Sequence, residues 1–125
     1  MNKVEQDNTR LANVTQAIWA LVDKLAPRRI YMTASSSDEP GAFDWDFFIV
    51  LDNDASRRFW DGSFAENALA ALGIKTQVTV AGVDDFRSAL QVPHSLAAQA
   101  VEEGHLVFAS RQHQHQEALA QRLSA

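Results

Sequence analysis

Cysteine is absent from the 125 residues. That absence excludes disulfides, thiolate metal sites and a cysteine nucleophile, and it fits a reducing compartment. Basic residues are outnumbered, 11 Lys and Arg against 16 Asp and Glu, for a net charge of −5 at pH 7. A nucleic-acid-binding surface needs clustered Lys and Arg to displace counterions, so nucleic acid is not the expected partner. The only basic pairs, Arg28-Arg29 and Arg57-Arg58, read as solvated ends of elements. No apolar run approaches the roughly 18 residues that a membrane span requires, and the polar start MNKVEQDNTR has no signal-peptide pattern. A cytoplasmic location without a membrane partner is the expectation. Proline and glycine are scarce, at three and five residues. Together with 46% hydrophobic and 22% charged residues, that composition excludes wholesale disorder.

What is present suits a single domain spanning residues 1–125 around one core. Leu11, Val14, Ile18, Leu21, Val22 and Leu25 recur at helical spacing, with Asp7 or Asn8 as N-cap and Pro27 as the stop. Residues 29–33 read as a short strand and 34–42 as a small, polar loop. Trp45 to Leu51 is nearly all apolar, as a central strand buried on both faces would be, and Asp52-Asn53-Asp54 supplies an exit turn. Ser56 is the expected cap of a helix running toward Leu72, bent or broken at Gly62-Ser63 and ended by a left-handed Gly73. Residues 76–80 alternate as a half-buried strand; short helices follow at 83–90 and 95–103, and a last strand at 105–109. Residues 111–123 read as a C-terminal surface helix. The fold class is α/β or α+β.

Side chains alternate along a strand, so Asp44 and Asp46 project from one face with Trp45 on the other. Two carboxylates held this close repel unless a cation lies between them, and such oxygen sites suit Mg²⁺ or Mn²⁺. Chance is the competing explanation, because ten Asp residues make the Asp-x-Asp pattern common and Asp52-Asn53-Asp54 repeats it at a turn. Context separates the two: Asp44 and Asp46 open a strand whose next five residues are apolar.

Taken together, residues 30–35 (IYMTAS), the loop, and residues 44–50 (DWDFFIV) resemble the signature of the minimal nucleotidyltransferases of the polymerase β superfamily. That signature is a hydrophobic strand, Gly-Ser, a loop, then Asp-x-Asp opening a second hydrophobic strand. Residues 72–86 and 93–108 resemble the family's later strand, short helix, closing helix and last strand, so the likeness spans about residues 10–110. It implies a mixed sheet flanked by helices. It also implies Asp44 and Asp46 as catalytic metal ligands, and Ala34, Ser35, Ser36 and Gln77 at the positions that contact nucleotide and metal. In such enzymes metal polarises the attacked phosphoryl group of a nucleoside triphosphate, a hydroxyl attacks the α-phosphorus, and pyrophosphate leaves.

The departures fall on the catalytic positions. Ala34 replaces the family Gly, Ser36 replaces a frequent Arg, and the loop before Asp44 is shorter by about two residues. Gln77 stands where the family has its third carboxylate; Thr79 cannot supply one, and Asp84 and Asp85 read as caps of the next helix. The expectation is a degenerate, non-catalytic nucleotidyltransferase-like protein that binds a protein partner or a nucleotide. One alternative is an active Mg²⁺-dependent enzyme moving AMP from ATP to a hydroxyl of a small helical partner, as in toxin-antitoxin pairs. Another is a structural homodimer, which an exposed patch around Trp60 and Phe64 would favour. His113, His115 and Glu117 are poorly spaced for zinc, and His94 reads as the start of a helix.

Overall fold

The computed structural model describes residues 3–34 and 45–110, with side chains from 12–33 and 45–110. Its elements are α1 (Lys3–Leu25), β1 (Arg29–Ala34), β2 (Trp45–Leu51), a 3-10 turn (Arg57–Phe59), α2 (Gly62–Ala70), β3 (Thr76–Gly82), α3 (Val83–Leu90), α4 (Leu96–Glu103) and β4 (His105–Ala109). The four strands form one mixed sheet in the order β3-β2-β1-β4. β2 runs parallel to β3, and β1 is antiparallel to both β2 and β4. This is the mixed α/β architecture expected from the sequence. No helix among the described residues is long and apolar enough to cross a membrane.

The period-two alternation of β2 assigns its side chains to two cores. Phe47, Ile49 and Leu51 enter the larger one, with Ala17, Leu21 and Leu25 of α1 and Ala65 and Leu69 of α2. Phe48 and Val50 enter the second, with Tyr31, Phe86 of α3, and Ala97 and Ala100 of α4. The continuous apolar run of β2 thus reflects cover on both faces. Phe86 stacks on Tyr31 and tilts against Phe48, at 5.8 Å in each case, while the alanines of α4 let that helix lie close to the strands.

Two expected boundaries move. α1 begins at Lys3, so Asp7 and Asn8 lie within the helix instead of capping it. Lys3–Arg10 holds no Pro or Gly to stop the helix, and the apolar periodicity begins only where α1 reaches the core. The helix expected from Ser56 is divided: Ser56 makes no side-chain cap, and α2 starts afresh at Gly62, where Asp61 accepts from the Ser63 N–H at 3.0 Å. Gly62 explains the restart, since a Cβ there would lie 2.2 Å from the Val78 carbonyl oxygen. The start of α2 therefore presses on the outer edge of β3, where Glu66 also accepts from the Val78 N–H at 3.0 Å. An edge that would otherwise offer bare backbone groups is covered.

The remaining punctuation matches its chemistry. Gly73 takes a positive φ of 79° after α2, and Ser95 caps α4. Asp84 and Asp85 lie in the first turn of α3 and not at its cap; the Asp84 N–H donates to Asn53 of the turn after β2. In that same turn Asp52 pairs with Arg28, so this Asp-x-Asp copy has a structural role. Trp60 and Phe64 are half-buried and pack against the larger core. The expected helix at 111–123, with His113, His115 and Glu117, lies outside the described residues.

Candidate functional site

Strand register builds the site. Asp46 is the partner of Thr33 on β1 and of Gln77 on β3. Partners in registered strands lie side by side on one face, about 5 Å apart. Thr33, Asp46 and Gln77 therefore form a row across three strands, on the face that carries α3 and α4. Gln77 thus lies directly beside Asp46 on the neighbouring strand.

A cleft of about 190 Å³ opens over this row. Its floor is Thr33, Asp46 and Gln77, with Phe48 and Thr79 one step further along the strands. Its wall is a single stripe of α4: Leu96, Gln99, Ala100 and Glu103 recur at i, i+3, i+4 and i+7, the positions that share one side of a helix. Ser95 anchors the wall twice, accepting from the Ala98 N–H at 3.1 Å and donating to the Ala89 carbonyl at 2.7 Å. Gly104 closes its far end. A Cβ there would meet the Ala100 carbonyl oxygen at 2.5 Å and Thr33 Oγ1 at 3.1 Å, so glycine lets the α4–β4 junction settle onto β1.

The cleft is lopsided in charge. Among the described residues that line it, Asp46 and Glu103 are the ionisable ones, and none is Lys, Arg or His. Asp46 is exposed as a residue, yet partial burial raises its carboxyl above the ordinary aspartate range. The basic pairs serve elsewhere: Arg28 pairs with Asp52, Arg29 donates to the Tyr31 hydroxyl at 2.8 Å, and Arg58 lies over the Phe59 and Phe64 rings at 5.1 and 5.5 Å.

Of the residues singled out in the sequence, the structure brings Asp46 and Gln77 together. Ala34 ends β1 opposite Trp45; Ser35, Ser36 and Asp44 lie outside the described residues. Among the described residues, no three acidic or histidine side chains are grouped to hold a metal ion. Asp46 and the Gln77 amide are oxygen donors of the kind Mg²⁺ accepts, but only one of the two carries charge. Sequence reasoning missed Thr33, Gln99 and Glu103. The stripe on α4 was present in the spacing; which strand residues it would face was not.

No family model, no curated protein and no solved structure matches this chain.

Proposed function

We propose that the chain is a nucleotidyltransferase-like domain that works by binding and does not transfer nucleotides. It holds a protein partner, or the metal-bound phosphates of a nucleotide, at the cleft beneath α4. The carrying observation is the register of Gln77 with Asp46. Metal-assisted phosphoryl transfer depends on carboxylates that concentrate the cation and stabilise the attacking oxygen, and an amide at that place supplies neither charge nor a base. Size supports the same reading. At about 190 Å³ the cleft is smaller than the roughly 300–1,000 Å³ typical of small-molecule sites. It has room for an ion with its phosphate, or for one side chain. A cytoplasmic setting belongs to this reading, supported by the cysteine-free composition.

The test is incubation with labelled ATP, Mg²⁺ or Mn²⁺, and a small helical candidate partner. The expected result is no label on either protein. Label that appears, and vanishes in Asp46→Asn, overturns the proposal. One observation favours this second reading, an active enzyme moving AMP to a protein hydroxyl: Glu103 brings a carboxylate from α4 into the cleft that holds Asp46. In that case Glu103→Gln abolishes transfer and Gln77→Ala spares it.

A further inference from the structure

The cleft combines three properties. Among the described residues its ionisable groups, Asp46 and Glu103, are both acidic, and its neutral polar groups, Thr33, Gln77, Thr79 and Gln99, each carry an oxygen that can accept. Gln99 commits its amide nitrogen to the His94 carbonyl at 2.9 Å, which leaves the amide oxygen as its remaining acceptor. Glu103 is the last residue of α4, so the negative end of the helix lies at the same place. The third property is apolar: Phe48, Leu96 and Ala100 line the cleft beside the polar groups, and Leu96 keeps 63% of its surface exposed.

An anion is repelled here unless it brings a cation with it, and a neutral apolar ligand leaves the acids desolvated without a partner. A charged head on an aliphatic stem satisfies all three properties. Resting on the binding reading above, we infer that the cleft receives a cationic side chain of a protein partner, arginine before lysine. Its guanidinium meets Asp46 and Glu103 while its methylenes run along Phe48, Leu96 and Ala100. Arginine is preferred because five N–H donors in a planar fork can reach two carboxylates and the neighbouring amide and hydroxyl oxygens at once. Its head is also more weakly hydrated than an ammonium, so it enters a partly apolar cleft at lower cost. The stem lies on carbon as such side chains do elsewhere. The chain's net charge of −5 favours a basic partner in the same sense.

The experiment follows the side-chain amide signals of Gln77 and Gln99 in the ¹⁵N-labelled full chain. The chain is titrated with Nα-acetyl-arginine amide, with its neutral citrulline analogue, and with Mg²⁺. Arginine is expected to move both amides saturably with a Kd of about a millimolar, an affinity suited to a single side chain. Citrulline is expected to move neither, and Asp46→Asn and Glu103→Gln each to weaken arginine by about tenfold or more. Equal response to citrulline, or no response to arginine, overturns the inference even without a variant. If Mg²⁺ moves the two amides and arginine does not, the inference fails and the metal-bound nucleotide form of the binding reading gains support. If neither moves them while ATP transfer remains absent, the cleft is not the binding surface, although the chain is still no transferase.

Discussion

Asp46 has Thr33 and Gln77 as its register partners, and neither carries a charge that offsets its own. Because burial raises its carboxyl, the fold favours the protonated form. The associated stability is fully present below the ordinary aspartate value of about 3.9 and is lost as pH rises through the higher folded value. Ionised Asp46 therefore weakens the fold at neutral pH. Asp46→Asn is expected to melt slightly higher than the parent at pH 7, with the gain fading toward pH 3.5, in thermal scans across that range. A variant that melts lower at pH 7 would show that something compensates the charge. Gly62 makes a different demand, for space alone. Gly62→Ala puts a methyl 2.2 Å from the Val78 carbonyl oxygen and should cost about 1–3 kcal/mol in denaturant unfolding, because backbone must move to make room.

Among the elements, α4 decides whether the cleft exists. Ser95→Ala removes an acceptor for the Ala98 N–H and a donor to the Ala89 carbonyl, so a loss of about 1–2 kcal/mol is expected from denaturant unfolding. Faster amide hydrogen exchange over residues 96–99 should accompany it if the helix start loosens as argued. Most element identities were legible because local chemistry agrees with the fold: the apolar run of β2, Gly73 after α2, and Ser95 before α4 each carry their own signal. Boundaries failed where the deciding contact is remote. Nothing near Ser56 tells that Gly62 must fit against Val78, and the polar start of α1 has no periodicity to mark it. The candidate site divides the same way. Asp46 was visible from its strand, and Gln77 was singled out only through a resemblance. Thr33 and Glu103 needed a strand register and a helix docking that no local pattern encodes.

At the scale of the whole molecule, β2 is the partition between two cores, and the two sides are unequal. Phe47 is 2% exposed in the larger core. Phe47→Ala should cost about 3–5 kcal/mol, measured as a shift in unfolding midpoint with the denaturant slope unchanged. That is a large share of the roughly 5–15 kcal/mol that a domain has in total. The smaller core, with Tyr31, Phe48 and Phe86 beneath two short helices, supports the cleft. Damage there should alter ligand response before it alters global stability.

The pairing of β1 with β4 also has a meaning in time. Residues 29–34 are made early, yet their second neighbour is the segment 105–109, which comes after every other described element. During synthesis β1 can pair with β2 as soon as both have left the ribosome, but its far side stays open until nearly the whole described chain has emerged. Nascent chains whose segment 105–109 is still enclosed by the ribosome should present that open side to chaperones and to one another, whereas chains carried past residue 110 by a C-terminal linker long enough to bring that segment out of the exit tunnel should not. Cross-linking of chains arrested at staged lengths would locate the switch.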